Sequence, residues 1–410
     1  MQRPAVVGAA GKREGGAAAG RRAVQRPTAG GLCSGRREGC AAVGELGTKR
    51  VAEEDGAANM SDSSRTIPPE LLPSEDLHPL PMPVINLGHL SLDSATRYRV
   101  VDDVAKACRD LGYFQVINHG ISQSVMDCAL EAASDFFKLP SETKEKFASE
   151  DLRRPVRYDT SSKDSISMPR AFLKHYAHPL SEWIQYWPQQ PPIYRKYMGK
   201  YASEVRMVAL QLVEAIVEGL GLGKEYLNEK FHEGSQVLSV NCYAKASQSA
   251  TTIGLAPHSD HGFLTILLTS CGGLEVVDPS SNIWKRVQQL PHALHVHIGD
   301  HMEVLSNGRM KTVVHRALLN PEEARISIAS IHGFALHEKV TCAKELVDEE
   351  NPPKYKESSF SDFLDHLTAN MDNKHRNFLE SLRMVTGAMV FEKADRAMVH
   401  LHMLKSKVSV

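Results

Sequence analysis

Between Val237 and His337 the chain is broken into short runs rich in β-branched and aliphatic residues, at 237–243, 263–268, 274–277, 284–287, 294–298, 312–318 and 325–331. Gly, Asn, Asp and Pro stand between them. Many short strands divided by turn residues predict a sandwich or barrel. With 410 residues the chain could fill two or three average domains, but large β-barrels with helical additions often use such a length as one unit. Helical patterns flank the strands. One runs from Asp93 to about Leu111 and leads through Gly112 into a strand-like stretch ending at Gly120, and a second continues through Phe137. A short charged helix opens at Ser141, and residues 153–168 read as polar and irregular. Apolar residues at helical spacing over 197–220 predict a long helix that backs the sheet, and 359–382 predict a closing helix.

Within the strand region, His258-Ser259-Asp260 and the distant His315 supply two imidazoles and one carboxylate. Such a set forms the facial triad that holds non-haem Fe(II), because three protein ligands on one octahedral face leave three positions free. Arg325 and Ser327 lie two apart on a predicted strand and therefore share a face, where guanidinium and hydroxyl suit a carboxylate. Together they imply an iron site with a dicarboxylate co-substrate. Zinc remains a competitor for any two-His, one-Asp set, since the affinity order alone favours it, and an isolated His315 would read as a core histidine.

The chain resembles the plant 2-oxoglutarate- and Fe(II)-dependent dioxygenases over roughly residues 80–384. The matching stretches are Pro83-Val84-Ile85, Gly112 to Gly120, Phe136-Phe137-Lys138-Leu139-Pro140, Leu255 to Gly262, and Leu305-Ser306-Asn307-Gly308-Arg309. The resemblance implies a mainly β, α+β fold: a double-stranded β-helix, or jelly-roll, core with an N-terminal lobe of helices and strands. It divides the chain into an N-terminal dioxygenase domain (80–185), a helical connector (186–235), the jelly roll (236–338) and a helical closure (339–384). It implies metal ligation by His258, Asp260 and His315, and 2-oxoglutarate binding by Arg325, Ser327 and Tyr243. The family's Asn-Tyr-Tyr-Pro stands here as Asn241-Cys242-Tyr243-Ala244, so the two contact residues are kept. O2 would enter after a small-molecule substrate, with ascorbate in support, and 2-oxoglutarate would leave as succinate and CO2 while the substrate is hydroxylated or desaturated.

The overall likeness is to flavanone 3-hydroxylase-like members, in which a Phe six residues after the clamp Arg stacks on the substrate. Ile331 stands there in this chain, with Phe334 nearby, and these two are the expected pocket residues. Phenolic, indolic or terpenoid hormones remain alternatives, as do an oxidase that does without 2-oxoglutarate and an inactive jelly-roll binding protein. His295 and His297 depart from the aliphatic residue and Asn usual at these positions, and they read as packing or pocket polarity ahead of a second metal site.

A formal net charge of −1 gives no electrostatic reason to expect nucleic-acid or membrane partners. No apolar run approaches the roughly 18 residues that span a bilayer. Seven scattered cysteines without a Cys-x-x-Cys pair fit a reducing compartment, so a cytoplasmic location is expected; a monomer is the expected state. Residues 1–60 are rich in Gly, Ala and Arg without an aromatic, which predicts a disordered extension, with a transit peptide as the alternative. Residues 385–410 form a tail to which no role is assigned.

Overall fold

A computed structural model describes residues 82–160, 170–246, 253–370 and 377–384. The expected extension over 1–60 and the tail from 385 lie outside these residues. Twelve strands are described: β1 (Val84–Asn86), β2 (Tyr113–Ile117), β3 (Val156–Thr160), β4 (Arg170–His178), β5 (Ser235–Tyr243), β6 (Ile253–His258), β7 (Leu264–Thr269), β8 (Leu274–Val277), β9 (Trp284–Arg286), β10 (Leu294–Ile298), β11 (His315–Leu318) and β12 (Arg325–Gly333). They form an eight-stranded sheet ordered β1-β2-β10-β7-β12-β5-β4-β3 and a four-stranded sheet ordered β6-β11-β8-β9. Every pair is antiparallel except β1 with β2.

Alternation along the central strands decides what each face of the large sheet does. Leu264, Ile266 and Leu268 of β7, Leu294, Val296 and Ile298 of β10, and Ile326 and Ile328 of β12 belong to the main core. Helices Gln123–Lys138 and Tyr194–Gly219 bring Ala129, Phe136, Val205 and Leu212 to that same core. The long helix thus backs the sheet, as its spacing predicts. On the other face Leu267 packs with Leu274 and Val276 of the small sheet. Two sheets joined through one face, with helices on the other, make the jelly-roll core and the α+β class.

The structure corrects an expectation about the strands. Of the stretch 153–168 expected to be irregular, Val156–Thr160 form strand β3, which pairs with β4, and β4 pairs in turn with β5, while 161–168 lie outside the described residues. In β4 the alternation is masked by chemistry: Leu173, His175 and Ala177 are fully buried, but a His among them, Lys174 between them and His178 after them disguise a strand as a polar segment.

Burying histidines has a consequence for stability. His175 lies under Trp187, with ring centroids 4.1 Å apart, and its Nε2 pairs with Tyr194 Oη at 2.9 Å. Burial pushes His175 and His332 down to about 3 and His301 to about 4. The unfolded chain takes up protons at these sites below about pH 6.5, whereas the native one does not. Their stabilisation is therefore present above pH 6.5 and lost as pH falls toward 4, at about 1.4 kcal/mol per group per pH unit. We expect the unfolding midpoint to drop by many degrees between pH 7 and pH 5, a range in which ordinary carboxylates stay ionised; a midpoint flat across that range would refute the buried neutral state.

Candidate active site

The small sheet brings the sequence-distant ligands together. His258 ends β6 and His315 begins β11, and the two are direct cross-strand partners. Asp260 follows two residues after His258, where the chain has left the strand. Its position is held by the start of the short helix Asp300–Leu305: the N–H groups of Asp300 and His301 donate to the carbonyls of Asp260 and Gly262 at 2.8 and 3.1 Å. Gly299 makes this approach possible, since a Cβ there would lie 2.2 Å from the Gly262 carbonyl oxygen.

One donor atom from each of His258, Asp260 and His315 lies within 4.8 Å of the others. Asp260 Oδ1 is 3.8 Å from His258 Nε2, and Oδ2 is 3.9 Å from His315 Nε2. Both rings have Nδ1 on a backbone carbonyl, that of Ala256 at 2.9 Å and that of Val313 at 3.2 Å. These contacts fix the tautomer that leaves Nε2 bare for a metal. Burial holds both imidazoles below their ordinary range, His315 furthest. Burial alone would push Asp260 up, but the neighbouring His315, His297 and His258 bring it well below the usual carboxylate range. Neutral imidazoles beside an ionised carboxylate are the donor states that a metal needs, so the residues fit an iron ion.

The clamp residues share the inner face of the neighbouring strands β12 and β5. Arg325 pairs in register with Tyr243, and Ser327 with Asn241. Arg325 is 1% exposed; its guanidinium lies 5.2 Å from the Tyr243 ring centroid and Nε donates to the Cys271 carbonyl at 3.3 Å, while Nη1 has no partner. Asn241 Nδ2 donates to Ser327 Oγ at 3.4 Å. A buried guanidinium with a spare donor is what a carboxylate ligand would satisfy.

Triad and clamp line one cavity of about 920 Å³. Ile331 lines it too, on the face shared with Arg325 and Ser327. Phe334 does not: it is 4% exposed and packs between Phe231 and Phe263 in the main core, which corrects the expectation of a pocket role. Phe334 stands three residues after Ile331, just beyond the end of β12, and that odd offset is the signal that could have shown this. Sequence reasoning also missed several lining residues. Phe172 comes from β4, Phe360 and Phe363 come from helix Phe360–Ala369, and both of the latter rings stack on His261. Arg170 donates to Asn241 Oδ1 at 2.6 Å. Asp300 is 2% exposed, and burial pushes its carboxyl up to about 7.

A jelly roll that opens on two imidazoles, a carboxylate and a buried guanidinium defines the class of non-haem iron oxygenase. Residues 82–199 match the family described as non-haem dioxygenase in morphine synthesis N-terminal, and 234–333 match the 2OG-Fe(II) oxygenase superfamily. The chain is 79% identical over 326 residues to flavanone 3-dioxygenase 3 of Oryza sativa subsp. japonica, covering 79% of this chain and 100% of that one. It is 57% identical over 330 residues to the chloroplastic 2-oxoglutarate-dependent dioxygenase 21 of the same plant, covering 80% and 98%. Among solved structures, that of JOX2 in complex with 2OG, Fe and JA superposes with a TM-score of 0.65 at 28% identity, covering 79% of this chain and 96% of that one. The chain belongs to the 2OG-Fe(II) oxygenase superfamily. It is an oxidoreductase that uses Fe(II), 2-oxoglutarate and O2 on a small-molecule substrate. Among the described residues no helix is long and apolar enough to cross a membrane.

Proposed function

We propose that this enzyme hydroxylates a flavanone-like plant metabolite, with His258, Asp260 and His315 holding Fe(II) and Arg325, Ser327, Tyr243 and Asn241 holding 2-oxoglutarate. The observation that carries the substrate reading is the 79% identity to a rice flavanone 3-dioxygenase over that protein's whole length. Aromatic walls from Phe172, Phe360 and Phe363 suit a planar phenolic ring. When bound, the iron would supply the oxidation in which O2 gives one oxygen atom to 2-oxoglutarate, released as succinate and CO2, and the other to the organic substrate, released hydroxylated. The protein's part is orientation: the Arg325 fork fixes the co-substrate's far carboxylate, Ser327 donates a hydrogen bond, and the aromatic walls exclude water from the reacting carbon. Ascorbate as supporting reductant, a monomeric state and a cytoplasmic location complete the proposal. The location is supported by the wide scatter of the seven cysteines, among which there is no Cys-x-x-Cys pair.

A second reading has its own observation. Arg157, Arg170 and Lys174 of β3 and β4 line the same cavity and favour a substrate bearing a carboxylate, such as an indolic, phenolic or terpenoid hormone. Substrate-dependent succinate formation across a panel of flavanones and hormone acids separates the two. Flavanones should be turned over; succinate released only with the acids would replace the first reading by the second. In addition, Ile331→Phe should lower the flavanone KM by roughly 2- to 10-fold, because an added aromatic stack is worth about 0.5 to 1.5 kcal/mol. A raised KM would mean that the substrate ring does not lie over β12.

A further inference from the structure

His297 is 1% exposed, and neither of its ring nitrogens has a hydrogen-bond partner among the described residues. A buried histidine that serves only the core normally finds a partner for at least one nitrogen, as His175 does with Tyr194. His297 instead lines the catalytic cavity. Its Nδ1 lies 3.8 Å from Asp260 Oδ2, an oxygen that is itself buried without a partner, and its ring centroid is 4.5 Å from that of His315. A formed hydrogen bond spans about 2.7 to 3.2 Å, so a small rotation of either side chain closes the gap. The strand explains why the ring points there. On β10, His297 faces inward beside Thr265 of β7, whose hydroxyl also lacks a partner and also lines the cavity.

From this juxtaposition we infer that His297 is a positioning residue for the metal-binding carboxylate, donating Nδ1–H to Asp260 Oδ2 so that the other oxygen, Oδ1, is presented to the metal. The inference rests on the proposed ligand set. A carboxylate on a two-bond hinge can rotate both oxygens away from a metal, and a donor on the outer oxygen prevents this. Groups that orient ligands in this way commonly set metal affinity by about 10- to 100-fold. Arrangement of one carboxylate by a third imidazole also separates two roles that the sequence leaves merged: His258 and His315 have Nδ1 on backbone carbonyls, whereas His297 has both nitrogens available.

The test is Co(II) titration of the purified full chain, read by calorimetry and by the visible absorption of the bound ion, with the unfolding midpoint recorded for every variant. His297→Leu should bind Co(II) about 10- to 100-fold more weakly than the unaltered protein, with an altered visible spectrum, while His297→Asn, which keeps an N–H donor, should recover most of the affinity. Equal affinity in His297→Leu and the unaltered protein would overturn the inference, as would a complete loss of binding, since that would make His297 a ligand. Failure of His297→Asn to recover affinity, with an unchanged midpoint, would likewise reject the donor role. His258→Ala is the separate control: if it still bound Co(II) fully, the ligand set itself would be wrong.

Discussion

Arg325→Ala should weaken 2-oxoglutarate binding by roughly 10² to 10³, while the affinity for the organic substrate changes little. Arg325 is 1% exposed and holds a spare Nη1 donor in the catalytic cavity, so removing it leaves a buried carboxylate without a countercharge. Breaking one side of a buried ion pair costs about 3 to 5 kcal/mol, and each 1.4 kcal/mol is about tenfold. Arg325→Lys should recover only part of the loss, because an ammonium lacks the planar fork. The measurement is the apparent 2-oxoglutarate affinity with Fe(II) under nitrogen. An unchanged value in Arg325→Ala would move the co-substrate's carboxylate elsewhere in the cavity and remove the clamp from the proposal.

Ala at His258, Asp260 or His315 should remove metal binding and turnover altogether while the fold survives. The reason lies in where the three residues sit. His258 ends an edge strand of the four-stranded sheet, Asp260 lies beyond it, and the main hydrophobic core is built without any of them. Elemental analysis for iron beside circular dichroism distinguishes loss of metal from loss of structure. Stoichiometric iron in all three single variants would reject the ligand assignment.

How much of this was legible in advance depends on the range of the interaction involved. The His258–Asp260 spacing, the Arg325–Ser327 pair and the period of the long helix are local, because two-residue and 3.6-residue repeats state which side chains share a face. The resemblance then tied those local signals to a jelly roll. Strand β4 was not legible: Lys174, His175 and His178 are costly in a strand unless neighbours receive them, and only the tertiary structure brings them the Leu152 carbonyl, the Tyr194 hydroxyl and the His232 carbonyl. Phe334 was misplaced for the opposite reason, since the alternation that turns Arg325, Ser327 and Ile331 inward was available but was not carried past the end of the strand.

The sequence by itself determined which residues could bind a metal and a carboxylate, because that capacity resides in side-chain chemistry and short spacings. Only the tertiary structure decided that His315 sits directly across from His258, that the helix at Asp300 holds the backbone of Asp260, and that His297 arrives at the same carboxylate from the other sheet. These are meetings between residues far apart in the chain. They depend on the register between strands and on how two sheets face one another, quantities that are set by the packing of the whole core and appear in no local pattern.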